Sequence, residues 1–154
     1  MGYCAHQVAS KFTIKRENLE HVFRSIRALA QRAVVQREDI YWVEPRKLLA
    51  ADTVEAQFKH WGWPIKRDFD GNVTDISFEH EKIGEEMKLF EVIAPFVEKG
   101  SYIDMAGEDG ANWRWSFNGQ TCKELTPKVS YEGDDEGDVV DVEAREVRPQ
   151  RRLR

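Results

Sequence analysis

The sequence predicts an α+β fold: a mainly antiparallel sheet with two long helices on one face. Three observations carry this expectation. The stretch Trp113-Arg114-Trp115-Ser116-Phe117 alternates strictly, so Trp113, Trp115 and Phe117 share one face and Arg114 and Ser116 the other. Residues 17–33 switch to helical period, with Leu19, Val22, Phe23, Ile26, Leu29 and Ala33 opposite Glu20, Arg24, Arg27 and Gln31. A second helical stripe, Ile83, Met87, Phe90, Ile93 and Val97, runs through residues 84–99.

The remaining elements follow in chain order. Residues 3–14 read as a first strand, in which Val8, Phe12 and Ile14 alternate in part. Ile40-Tyr41-Trp42-Val43 reads as a short strand that Pro45 ends. Asp52 with Glu55 three places later resembles a capping box, opening a helix with Val54, Phe58 and Trp61 on one face. Gly62 stops that helix and Pro64 seals the stop. Residues 65–69 and 73–80 form a hairpin around Asp70-Gly71, with Ile76, Phe78 and His80 sharing a face. Pro95 inside the 84–99 helix predicts a kink or an early stop, and Gly100 fits the position just past its end. Residues 101–106, 112–117 and 120–126 complete a meander, with Asn118-Gly119 supplying a type I′ turn. A ferredoxin-like core with an added helix and hairpin is the closest common arrangement.

Length and composition set the outer bounds. A chain of 154 residues with five Trp, eight Phe and four Tyr suffices for one well-filled core. Residues 1–131 are expected to form that single domain and residues 132–154 a tail. The tail carries −7 over residues 132–143 and +4 over residues 144–154, with few core-forming groups. No apolar run is long enough to span a bilayer, and the start of the chain resembles neither a signal peptide nor a myristoylation site. Two widely separated cysteines, Cys4 and Cys122, are expected as free thiols, and a cytoplasmic location is expected. The net charge of −5 argues against direct nucleic-acid binding and allows a basic protein partner.

Several pieces are similar to a family of small, uncharacterised bacterial and phage-encoded proteins. They are Val73-Thr74-Asp75-Ile76-Ser77-Phe78, Leu89-Phe90-Glu91-Val92-Ile93-Ala94-Pro95-Phe96-Val97 and Gly100-Ser101-Tyr102-Ile103, then Gly107-Glu108-Asp109-Gly110, Trp113-Arg114-Trp115 and Cys122-Lys123-Glu124, with Met1-Gly2-Tyr3 at the start. The resemblance covers the greater part of the chain but not its tail. It implies a compact α+β domain and a setting in phages or mobile elements, and it implies no catalytic residues.

Candidate chemistry is sparse. His6, His21, His60 and His80 fall on separate elements, and neither a Cys-x-x-Cys nor a His-x-x-x-His pair exists, so no metal is expected. Glu79, Glu81, Glu85 and Glu86 gather at a strand-to-helix junction, where the helix dipole favours acids without any catalytic role. No phosphate-cradling loop or nucleophile elbow appears, and no cofactor is expected. Trp113, Trp115 and Phe117 are expected beneath the helices rather than as a stacking platform. Trp61-Gly62-Trp63 places two large aromatics around a glycine, so Trp61 or Trp63 is expected at the surface as an interface anchor. Asp134, Asp135, Glu136, Asp138, Asp141 and Glu143 form a polyanionic run suited to a basic groove.

These readings point to a non-enzymatic protein-binding module of phage or mobile-element origin. It would bind, and in one form inhibit, a host nucleic-acid-handling or defence protein. The alternatives are a small enzyme or ligand-binding domain with a pocket between sheet and helices near His80 and Glu108, and an assembly protein that oligomerises through a sheet edge.

Overall fold

The computed structural model describes residues 3–38, 40, 43–131 and 142–146, the last of these as backbone. The chain begins with β1 (Tyr3–Lys11) and a 3₁₀ turn (Arg16–Asn18), followed by α1 (Leu19–Gln36), α2 (Pro45–Ala50) and α3 (Val54–Trp61). Then come β2 (Ile65–Arg67), β3 (Val73–Ile76), β4 (Lys82–Ile83), α4 (Glu86–Ile93) and a 3₁₀ turn (Ala94–Phe96). β5 (Tyr102–Gly107), β6 (Asn112–Phe117), β7 (Cys122–Val129) and β8 (Val142–Glu146) close the described chain. One sheet has the order β4-β1-β5-β6-β7-β8, every neighbour antiparallel, and β2 and β3 form a separate hairpin. The predicted α+β class with a mainly antiparallel sheet is therefore observed. From β1 to β5 the helices and strands run β1-α1-α2-α3-β2-β3-β4-α4-β5, with the β2–β3 hairpin set apart from the main sheet and β4 at its edge.

Burial explains why these segments settle as they do. Trp113, Trp115 and Phe117 are buried on the inner face of β6, as alternation required, with Ile103 and Met105 of β5 beside them. Phe90 of α4 lies on that face, its ring 5.0 Å from Trp115 and 5.8 Å from Phe117. Leu19, Val22, Ile26, Ala30 and Ala33 form the buried stripe of α1. Each fully buried aromatic of this size contributes roughly 1.5–3 kcal/mol relative to exposure.

The differences from expectation each have a local cause. Val8 is 60% exposed, because a bulge between Gln7 and Ala9 turns it away from the face that holds Phe12. Ile40 and Val43 form only an isolated bridge. Pro45 opens α2 instead of ending a strand, because its fixed φ and missing N–H suit a first helical turn. The cap of α3 is Thr53, not Asp52: the Thr53 hydroxyl accepts from the Ala56 N–H at 3.1 Å. Val54, Phe58 and Trp61 are buried as expected, and Gly62 takes the left-handed cap with φ 86°.

α4 is much shorter than its 84–99 stripe. It stops at Ile93, and Pro95 sits in the 3₁₀ turn that follows, since proline cannot donate to the preceding turn. Gly100 is consequently not its cap; the Gly100 N–H donates to the Phe117 carbonyl at 3.0 Å and leads into β5. The turn after β6 spans four residues, because Phe117 pairs with Cys122. Only Gly119 there has positive φ, and the Asn118 side chain accepts from the Gln120 and Thr121 N–H groups, so it is not a type I′ turn. The segment taken as a tail contributes β8, which pairs with β7 from Val142 opposite Val129 to Glu146 opposite Leu125.

One terminus carries a backbone cost. Arg37 caps α1 in the left-handed region with φ 55°, a conformation costing a non-glycine residue roughly 1–2 kcal/mol. Arg37→Gly is expected to raise unfolding free energy by about 0.5–1 kcal/mol in urea titration, since glycine accepts this geometry freely.

Candidate functional site

The anchor expected at Trp61-Gly62-Trp63 is absent from the surface. Trp61 is 4% exposed and Trp63 fully buried. The left-handed turn at Gly62, closed by the Trp63 N–H donating to the Phe58 carbonyl at 2.9 Å, folds both indoles inward. Trp63 packs edge-on against Phe90 at 5.4 Å and Trp115 at 5.8 Å. Asp134, Asp135, Glu136, Asp138 and Asp141 lie outside the described residues, and Glu143 stands on β8 in register with Lys128.

Of the acids at the strand-to-helix junction, Glu86 is built into the core, while Glu79 and Glu81 are exposed. The Glu86 carboxylate is buried and accepts from the Trp63 indole N–H at 3.2 Å and the Gly84 N–H at 2.7 Å. Burial holds its pKa above the ordinary carboxylate range, against the lowering effect of those two bonds. Glu124 accepts likewise from the Trp115 indole at 3.2 Å. Burial first, then Glu91 and Glu124 nearby, pushes the pKa of the Cys122 thiol up, disfavouring the thiolate. His21 stacks on Phe96 at 5.3 Å. Among the described residues no group of three His, Cys, Asp or Glu is placed to hold a metal. The space between sheet and helices is filled by Trp63, Phe90, Trp115 and Phe117.

The exposed groups lie elsewhere. Phe69 is fully exposed at the tip of the β2–β3 hairpin, flanked by Asp68 and Asp70. The tip is built tightly. The Asp68 carboxylate accepts from the Asp70 N–H at 2.9 Å and the Asn72 N–H at 3.0 Å. The Asp68 N–H donates to the Asn72 carbonyl at 2.8 Å, and Gly71 turns the chain with φ 87°. The tip is braced from below by the 3₁₀ turn, where the Arg16 N–H donates to the Asn72 side chain at 2.9 Å. A fully solvated aromatic on a hydrogen-bonded turn is a preorganised contact group, because little entropy remains to be lost on docking. The sequence signal was present but weak: a lone phenylalanine inside the polar run Arg67-Asp68-Phe69-Asp70-Gly71-Asn72.

The outer face of the sheet forms a second feature. Arg114 donates through Nε and Nη2 to both Asp104 oxygens, at 2.6 and 2.9 Å, and its guanidinium lies 4.0 Å from the centre of the Tyr102 ring. Beside this fixed guanidinium runs a groove of about 290 Å³ whose lining includes Val8, Asp104, Asn112, Arg114 and Pro127. Register places Lys11 and Lys123 on the same face, opposite Tyr102 and Ser116.

Glu86 gives a test of the buried network. Its raised pKa means that the native state holds the proton more tightly than the unfolded chain. Its contribution therefore falls as pH rises from the ordinary value of 4.5 through the raised one. In urea titrations from pH 4 to pH 8, the stability of the wild type relative to Glu86→Gln is expected to decline across that window. A flat difference would show that Glu86 does not titrate there.

In comparison with known proteins, the chain matches no family, no curated protein and no solved structure.

Proposed function

We propose that the protein is a non-enzymatic protein-binding module and that it engages its partner through Phe69. The carrying observation is the full exposure of Phe69 on a turn fixed by the Asp68 side chain. An aromatic costs little conformational entropy to dock and brings large apolar area, which is why such groups dominate interface energetics. The acids flanking Phe69 and the net charge of −5 favour a partner with a basic surface. The use of the buried carboxylates and Cys122 as structural groups supports a binding role over catalysis. In its finer form the reading keeps a phage or mobile-element origin and a host nucleic-acid-handling or defence protein as the partner. The acids Asp134, Asp135, Glu136, Asp138, Asp141 and Glu143 would add long-range attraction. No helix among the described residues is long and apolar enough to cross a membrane.

Phe69→Ala is expected to change unfolding free energy by less than about 0.5 kcal/mol, as surface substitutions do. It is expected to weaken partner capture at least about tenfold, the loss of one well-seated anchor. Capture from host lysate, followed by a photo-reactive phenylalanine analogue at position 69, reads both the loss and the contacted protein. Equal recovery by the wild type and Phe69→Ala, with no cross-link from position 69, would sink the proposal.

The tail acids are best tested by neutralising Asp134, Asp135, Glu136, Asp138 and Asp141 to amides, because deletion from residue 132 would also remove β8. The amide variant is expected to slow association several-fold at low salt and to match the wild type at high salt, read by binding kinetics on the captured partner.

A further inference from the structure

We infer that copies of this chain associate head to tail, with the Phe69 tip of one copy seated in the outer-sheet groove of the next. The inference rests on the reading of Phe69 as a protein-contact group and names the surface that receives it. The two surfaces are complementary in three respects.

The first is size. A cavity of about 150 Å³ houses a benzene ring, so the groove of about 290 Å³ has room for one phenyl group and its turn. The second is polarity. Val8, 60% exposed on its bulge, and Pro127 offer the apolar wall. Leu125 and Val129 lie nearby along β7, the latter 57% exposed. The third is charge. The tip carries Asp68 and Asp70 on either side of the ring, while register places Lys11, Arg114 and Lys123 on the outer face against Asp104 and, on β8, Glu146. An acidic chain thus has one face of opposite sign, and the groove opens on it.

Arg114 suits the task because it is already held. Asp104 takes two of its N–H groups and Tyr102 supports its plane, which leaves the remaining N–H groups of the fork for an incoming carboxylate. Tip and groove are different surfaces, so the contact is heterologous and extends into rings or chains of copies rather than stopping at a two-fold dimer. One knob in one groove is smaller than a standard interface, so the association is weak and concentration-dependent.

The test is sedimentation of the full chain from about 10 μM to about 1 mM, the range in which so small a contact becomes populated. Average mass is expected to rise with concentration beyond that of a dimer and to fall at high salt. Two variants dissect it. Phe69→Ala removes the knob, and Val8→Asp places a carboxylate at the groove that repels Asp68 and Asp70; both positions are exposed, so folding is preserved, and thermal melts check this. Each variant alone is expected to remain monomeric. Their equimolar mixture retains one intact knob facing one intact groove and is expected to give heterodimers and nothing larger. A wild type of monomer mass throughout the range overturns the pairing, as does an association that both variants leave unchanged. A mixture in which the two monomeric variants fail to pair overturns it as well. A monomeric wild type would leave the cross-link from position 69 standing, whereas loss of that cross-link would count against the anchoring role of Phe69 itself.

Discussion

The interior depends on one contact: the indole of Trp63 donating to the buried carboxylate of Glu86 while its ring edges against Trp115 and Phe90. Trp63 follows α3, Glu86 opens α4, and Trp115 belongs to the middle of the sheet. A single side chain therefore ties α3 and α4 to the strands. A buried indole N–H without an acceptor costs about 1–3 kcal/mol, and a buried carboxylate without donors costs more. Each group makes the other tolerable inside the core. Trp115 and Glu124 repeat the arrangement on the neighbouring strand pair, so two indole–carboxylate bonds sit within one aromatic cluster. The same bonds make Glu86 and Glu124 part of the core's polar framework.

A similar economy operates at the start of the chain. Tyr3 of β1 lies over Gly107, where no side chain fits, and its hydroxyl donates to Asp109. The Glu108 N–H donates to the Cys4 carbonyl at 3.0 Å, and the Tyr3 ring is 6.1 Å from Trp113. The Gly107-Glu108-Asp109-Gly110 turn is in this way a docking point for the first strand. Trp115 and Glu124, by contrast nine residues apart, meet across the hairpin of β6 and β7.

How much of this was legible depended on the range of the determinant. The alternation of Trp113, Trp115 and Phe117 and the stripe of α1 are properties of a few consecutive residues, and both appear as read. The bulge at Val8, the cap at Thr53 and the stop at Ile93 were missed or misplaced because backbone geometry, not pattern, decides them. The site was the least legible part. Size and a neighbouring glycine suggest Trp61 and Trp63 as surface anchors, but a left-handed turn points both inward. Phe69 is exposed because Asp68 satisfies the turn from within, leaving the ring no core to reach. Composition cannot distinguish a phenylalanine in a turn that folds back from one in a turn that stands out.

The place of β1 in the sheet has a consequence for the order in which the protein assembles. β1 is made first, yet its sheet neighbours are β4, which begins at Lys82, and β5, which ends at Gly107. Its hydrogen bonds must therefore wait until most of the domain has left the ribosome. The α1–α3 segment, whose helices touch one another, can form local structure in the meantime. Strand pairing across so long a separation pays its loop-closure entropy before it gains contacts, which makes closure of β1 between β4 and β5 a natural slow step of folding. The interval before that step is when β1 and the Phe12 that follows it, still without their neighbours, most need shielding from other nascent chains.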